Sequence, residues 1–366
     1  MFERRLYHHL DWLLLAAILL LCGIGVAMIY SATYDPSTGH VGPQSRTQLS
    51  AIAIGLVGLV FCLAIDYRAL ARSSLLLYTG LLGLLVYVVW SGVAAGGARR
   101  WIGMGPVNFQ PSEFGKVVLA LVLALWYGEN RKGARTPADL LLGAAFVVPP
   151  FLLVVREPDL GTAVTLLPVY LGITYAAGLR LRLLVVLALV ALLLAPVAWK
   201  YGLKDYQRAR IATFVDPAQD PRGAGYQQIQ ARVTVGSGGL GGKGYRQGTQ
   251  GQYKFLPVGH NDFIFSVLAE EFGFFGVLAA LALYLFVLLR TLEAARLAKD
   301  RLGTYLVVGI VSGFAFQVIY NITMSAGLAP VKGLTLPLMS YGGSSIIATL
   351  AGFGLILNVR MRRFTN

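Results

Sequence analysis

The sequence predicts an all-α polytopic membrane protein of about ten transmembrane helices. Both termini are expected in the cytoplasm, with one large extracytoplasmic loop between the seventh and eighth spans. Three observations lead there. Of 366 residues, 56% are hydrophobic and only 13% are charged, against about 25% charged in soluble domains, and the mean hydropathy is +0.66. Apolar runs near the length a bilayer requires recur along the whole chain. The cations between those runs are distributed unevenly.

The runs fall at 11–31, 48–65, 74–94, 112–128, 138–155, 159–178, 182–200, 262–290, 303–326 and 338–359. The first follows Arg4 and Arg5, as in a signal peptide, but exceeds the ~7–15 residues of a signal h-region. It is expected to stay as a span. The fifth and sixth runs are separated only by "REPD" (156–159), and the sixth and seventh only by "LRLR" (179–182). With the N-terminus inside, the inner loops hold Arg4, Arg5, Arg68, Arg72, Arg131, Lys132, Arg135, Arg180, Arg182, Arg290, Arg296, Lys299, Arg301, Arg360, Arg362 and Arg363. The short outer loops hold only Arg46, Arg99, Arg100, Arg156 and Lys332. That asymmetry is the positive-inside pattern. The chain reads as one integral-membrane unit, 1–366, with the loop at 201–261 outside.

Composition also excludes. A net charge of +14 would suggest nucleic acid in a soluble protein. Here insertion and anionic lipid account for much of it, so no nucleic-acid partner is expected. Cys22 and Cys62 sit in apolar runs and read as packing residues. "GSGGLGGKG" (236–244) lacks the Gly, four residues, Gly-Lys-Ser/Thr order of a phosphate loop. No HExxH, paired metal-ligand spacing or GxSxG is present, and no internal repeat of the transporter kind is visible.

Several acids and cations lie where the apolar runs begin. Asp262 stands at the mouth of the eighth run, as a helix-end acid favoured by the dipole or as a reactive carboxylate at the membrane boundary. Glu270 and Glu271 would lie about 12–14 Å deeper, pointing roughly 80° and 180° away from it. They are expected to serve structure or gating, in answer to Lys116. In "QPSEFGK" (110–116), Pro111 suits a first helical turn, and Glu113 and Lys116 share a face. They form either a structural pair or a site offering Lys116 to phosphate. "VVREPDLG" (154–161) reads as solvated loop charge. The loop's glycines, with Arg208, Arg210, Lys243, Arg246 and Lys254, suit either a flexible tether or a nest for an anionic, hydroxyl-rich ligand. "GLTLPLMSYGGSS" (333–345) reads as close helix packing or as backbone lining a cavity.

Five words occur in order: "RWIGMGPVNFQPSEFGK", "REPDLGTA", "YQQIQARVTVGSGGLGGKGYRQGTQ", "FLPVGHNDFIFSVLAEEFGFFG" and "GLTLPLMSYGGSS". With them, essentially the whole chain resembles the SEDS family. Asn261 departs from the Thr expected there, and short termini favour the elongation branch over the division branch. The resemblance implies a peptidoglycan glycosyltransferase that polymerises lipid II at the outer face of the cytoplasmic membrane. Its implied partners are a class B penicillin-binding protein, other elongation-complex membrane proteins, and lipid II with the growing glycan strand.

The family's catalytic Asp falls on Asp262, which is expected to act as general base. Cations must then meet the leaving pyrophosphate: Lys116 and Arg210 first, then Arg208, Lys243 and Arg246. Gln110, Trp101, Asp159, Thr249, His260 and Ser344 complete the candidate substrate-binding set with Glu113. A divalent cation, Mg2+ or Mn2+, could share the pyrophosphate, with Asp262 or Glu113 as ligand. The rival readings are a lipid II flippase and a non-catalytic scaffold.

Overall fold

The computed structural model describes residues 9–35, 38–95, 98–104, 107–130, 136–202, 205–220, 223–253 and 255–364. Arg4, Arg5, Arg131, Lys132, Arg135 and Lys254 lie outside them. The chain is mainly helical. It opens with α1 (Trp12–Ala32), α2 (Gln44–Ala64), the short α3 (Tyr67–Arg72) and α4 (Ser74–Ser91). A small antiparallel sheet follows, β1 (Val93–Ala95), β2 (Ala98–Met104) and β3 (Val107–Phe109), in sequential order. Then come α5 (Pro111–Glu129), α6 (Pro137–Arg156), α7 (Leu160–Ala176) and α8 (Leu181–Val197). The loop segment contributes α9 (Asp205–Val215), α10 (Ala224–Ser237) and α11 (Thr249–Gln252), and the chain closes with α12 (Ile264–Arg296), α13 (Arg301–Ser325) and α14 (Gly343–Met361).

This is a multi-pass membrane protein. Among the described residues, seven helices (α1, α2, α4, α6, α12, α13 and α14) are long and apolar enough to cross a membrane, and α7 is a shorter apolar helix. The other two expected runs fall on α5, which carries Glu113 and Lys116, and on α8, of 17 residues. Sequence punctuation sets the joints. Asp11, Asp159 and Asp300 each accept a backbone N–H in the first turn of α1, α7 and α13, and Pro111 opens α5.

α14 is the most enclosed of these helices, buried over 83% of its apolar window. It packs on α2 at glycine contacts: a Cβ on Gly354 would come within 2.6 Å of the Leu59 carbonyl. Small residues let backbones approach this closely. Asn358, fully buried, donates to the Cys62, Leu63 and Ile65 carbonyls that end α2. At the same end, Asp11 receives Arg290 at 3.0 Å and Arg360 at 2.9 Å. That network joins α1, α12 and α14 at the end away from residues 205–261. We call the opposite end the loop face.

The eighth expected run is not one straight helix starting at 262. It begins at Ile264, after an N-cap at Phe263, and breaks at Gly273 (φ 63°, ψ −158°). The glycine-rich segment docks in the break. Lys243 and Gly244 donate to the Glu270 and Glu271 carbonyls at 3.0 and 2.9 Å; Phe274 and Phe275 donate to the Gly239 and Leu240 carbonyls at 2.9 and 3.3 Å. A broken helix in a membrane protein needs such substitutes, because lipid offers none. The docked segment is therefore not a free tether, and the Lys243 and Gly244 N–H groups are not open to an anion.

A Cβ at Gly273 would meet Gly242 N at 2.3 Å, in a backbone region essentially reserved for glycine. Gly273→Ala should therefore cost at least about 2 kcal/mol, seen as a lowered unfolding temperature in detergent. Gly80→Ala, with open space at its Cβ, should leave that temperature nearly unchanged.

Candidate active site

The loop face gathers the ionisable residues. Asp262 lies just before α12 but does not cap it, since the N-cap is Phe263 and no side chain caps there. Its backbone is instead part of a tight turn: Asn261 and Asp262 N–H both reach the Val258 carbonyl, at 3.0 and 3.3 Å. Asn321 of α13 holds the turn from below, donating to the Asp262 carbonyl at 2.8 Å and the Leu334 carbonyl at 2.6 Å. The 326–342 segment closes over it, so that a Cβ on Gly333 would sit 3.4 Å from Asp262 Oδ2.

Desolvation pushes the Asp262 pKa up to about 6, and the like charge of Asp159 adds to this. Arg100 and Arg210 pull the other way. Asp159 is not a solvated loop charge. It is buried, accepts Thr162 N–H and O–H at the start of α7, accepts Gln110 Nε2 at 3.0 Å, and lies 3.8 Å from Arg100. Arg100 is itself fixed by the Glu157 and Pro158 carbonyls, at 3.1 and 2.6 Å. The neighbouring Glu157 carboxyl is buried without a hydrogen-bond partner, and desolvation raises its pKa to about 8.

Opposite these acids, cations converge. The Lys332 pKa is lowered by burial and then by the charge of Arg210. Two cations pressing on one another create a deficit that an anion relieves. The Lys332 backbone is itself seated against α7, where a Cβ on Gly161 would come 2.8 Å from its carbonyl oxygen.

The other expected residues divide. Gln110 and Ser344 brace the site: Gln110 N–H donates to Ser344 Oγ at 2.8 Å, and Ser344 donates to the Asn108 carbonyl at 3.0 Å. Trp101 lies on β2, one residue on from Arg100, in register with Val93. His260 lies in the Asp262 turn with its ring 5.7 Å from that of Tyr341. Arg208 engages the Lys200 carbonyl at 3.0 Å and Asp205 at 3.9 Å.

Lys243 and Thr249 both serve Glu270. That fully buried carboxylate accepts Lys243 Nζ at 2.6 Å, Thr249 N–H at 2.9 Å and Gln250 N–H at 3.0 Å. Arg246 stacks 3.7 Å above the Tyr34 ring. Glu271 accepts the Ser31 hydroxyl. Lys116 is thus not the partner of Glu270 or Glu271. It is buried against Glu113 at 2.7 Å and Gln317 Oε1 at 2.8 Å. Gln317 lies one helical turn from Asn321 on α13, so this pair forms a layer directly beneath the Asp262 turn.

Arg100, Lys332, Asn321 and Gln317 were missed as site residues. Arg100 and Lys332 counted only as topological cations. The available signal was their position inside or beside the five words.

The chain matches the FtsW/RodA/SpoVE cell cycle protein family over residues 11–364. It is 38% identical to peptidoglycan glycosyltransferase MrdB of Escherichia coli (strain K12) over 357 residues, 97% of this chain and 94% of that one. A solved structure described as structural coordination of polymerization and crosslinking by a peptidoglycan synthase complex superposes with a TM-score of 0.84 at 35% identity, covering 98% and 99% of the two chains. The crystal structure of Thermus thermophilus rod shape determining protein RodA superposes at 0.71 with 31% identity, covering 98% of each.

The Glu113–Lys116 pair is buried, so removing one partner strands a buried charge. Lys116→Met should cost about 3–5 kcal/mol in thermal unfolding. Glu113→Gln combined with Lys116→Met should recover much of that loss. Equal instability of the single and double variants would contradict a paired structural layer.

Proposed function

This chain belongs to the FtsW/RodA/SpoVE cell cycle protein family, and from that premise we propose how its loop face works. It is a peptidoglycan glycosyltransferase. The substrate in our reading is lipid II, polymerised at the outer face of the cytoplasmic membrane during elongation and shape maintenance. A class B penicillin-binding protein crosslinks the product, and other elongation-complex membrane proteins assemble with it.

One observation carries the mechanism: the Asp262 carboxyl, its pKa raised to about 6, feels the charges of Arg100 and Arg210, and Arg210 in turn presses on Lys332. Asp262 is ionised at neutral pH yet holds a proton well, as a general base must. It takes the proton of the acceptor sugar hydroxyl as that oxygen attacks the anomeric carbon. The bond to the donor's pyrophosphate breaks, and its growing negative charge falls to Arg210, Lys332 and Arg100. Arg100, already held by two backbone carbonyls, needs little reorientation to stabilise such charge. A single displacement of this kind inverts the anomeric centre.

Among the described residues no group of three or more His, Cys, Asp and Glu side chains could hold a metal by itself. Mg2+ characteristically needs only one or two carboxylates plus substrate phosphate. Asp262 and Asp159 fit such a cation poorly: Asp159 is already engaged by Gln110, Thr162 and Arg100, and a cation on Asp262 would lower its pKa and weaken it as the base. Glu113 is engaged with Lys116.

Polar lining thins out below Lys116. The cavity of about 30 Å3 beneath is lined chiefly by Val117, Ile310, Phe314, Ala348, Gly352 and Phe353. That favours chemistry at one face over passage through the bundle.

Asp262→Asn should lower polymerisation of purified lipid II by at least ~100-fold; a near-wild-type rate in monodisperse protein would overturn the assignment. The sign of the pH dependence follows from the raised pKa. Below about 6 the carboxyl is protonated and cannot accept a proton. The wild-type rate should therefore fall about tenfold per unit below that point and level off above it.

A further inference from the structure

The joint between α6 and α7 holds a buried carboxyl for which the reaction above has no use. Glu157 is the C-cap of α6, with its N–H on the Leu153 and Val154 carbonyls, both at 3.2 Å. Two residues on, Asp159 caps α7, and its N–H returns to the Val154 carbonyl at 3.2 Å. The two helix ends divide the acids between them. The N-terminal end of α7 stabilises a negative charge, and Asp159 occupies it. The C-terminal end of α6 disfavours one, and Glu157 stands there.

The surroundings of Glu157 favour its uncharged form. The residue is 1% exposed, and neither carboxyl oxygen has a hydrogen-bond partner among the described residues. Asp159, at the start of α7, opposes its ionisation, and Arg100, on β2, favours it. Both also act on Asp262, together with Arg210. Desolvation outweighs the arginine and sets the Glu157 pKa at about 8. Arg100 is therefore held by the backbone of this joint and not by the Glu157 carboxyl. Its Nε donates to the Glu157 carbonyl at 3.1 Å and its Nη2 to the Pro158 carbonyl at 2.6 Å. Nη1, 3.8 Å from Asp159 Oδ2, is the least engaged end, and 30% of the side chain is exposed. An incoming anion can reach it.

We propose that Glu157 is a positioning residue for the leaving anion: uncharged, it fixes Arg100 by its carbonyl and leaves the guanidinium to the pyrophosphate, and ionised, it draws the guanidinium to its own carboxylate. This rests on the glycosyltransferase reading. A buried carboxylate without a partner is costly, so a charged Glu157 must recruit a cation, and the cation that acts on it is Arg100. The acid and alkaline limits of the site then belong to different groups. Asp262 must lose its proton before the reaction, and Glu157 must keep its own.

The test is the pH profile of lipid II polymerisation by the full chain in detergent. The wild-type rate should hold from about pH 6 to about pH 8. It should then fall at least ~10-fold by about pH 9.5, as on losing one preorganised cation. Glu157→Gln, which cannot ionise, should keep the acid limb and lose the alkaline one. An alkaline limb that survives in Glu157→Gln would belong to Lys332, whose pKa is lowered, and would overturn the proposal. A wild-type rate that stays level over the same range would do so too. If Glu157→Gln is not monodisperse, Glu157→Met carries the same expectation, since the site is buried and gives the carboxyl no partner. Binding of inorganic pyrophosphate, followed by phosphorus NMR, is measured on both proteins and should weaken above about pH 8 in wild type alone. Polymer with the same alkaline limb in wild type and variant removes the positioning role and leaves the enzyme reading standing. Pyrophosphate binding with the expected pH dependence, but no polymer, does the reverse.

Discussion

The loop face depends on the buried carboxylate of Glu270. It draws in a lysine side chain and two backbone N–H groups from residues 243–250, 20 to 27 positions away along the chain. A buried charge is tolerable only with this degree of pairing. Its own helix is broken three residues later at Gly273, and the freed backbone groups bond to the same glycine-rich segment. Acid, helix break and loop are one device. It lets a membrane helix hold an external segment by main-chain contacts, and from that anchor the chain runs through α11 to the turn carrying Asp262.

Beneath this layer the bundle supplies a stiff floor. α13 presents Gln317 and Asn321 on successive turns, one to Lys116 and one to the Asp262 backbone. The irregular 326–342 segment crosses above with Leu334, Leu336, Leu338 and Met339 all buried. Its polar backbone is met by Tyr284, Gln317 and Asn321. Non-helical backbone survives at such depth only with partners of this kind. The Glu113–Lys116 pair is thus a structural layer whose other neighbour, Gln317, also ties down the segment carrying Lys332.

Much of this was legible in the residues. Helix joints at Asp11, Pro111 and Asp159 follow from capping chemistry, and every expected apolar run falls on a helix. Asp262 stood out as an acid at a membrane boundary. What could not be read is pairing across distance. Glu270 takes Lys243 rather than Lys116, because a mid-helix break at one glycine redirects the chain, and no local pattern encodes which glycine adopts φ 63°. "REPD" looked like solvated charge because burial of Asp159 and Glu157 comes from β2 and α7 folding over them. Arg100 and Lys332 looked like topological cations because convergence of two loops is a property of the fold.

The placement of Arg100 shows how the site sets its own acidity. A guanidinium in direct contact with Asp262 would drive its pKa down and ruin it as a base. Arg100 is instead held by the Glu157 and Pro158 carbonyls, with Asp159 at 3.8 Å. Among the described residues no cation lies within ion-pair distance of Asp262. Desolvation and the like charge of Asp159 therefore outweigh the two arginines. In the proposed reaction Arg100 is placed to meet the leaving anion without forming an ion pair with Asp262, so the carboxyl keeps its proton affinity. Glu157, whose carbonyl takes part in that clamp, keeps its carboxyl buried without a partner, so desolvation and Asp159 raise its pKa although Arg100 opposes them.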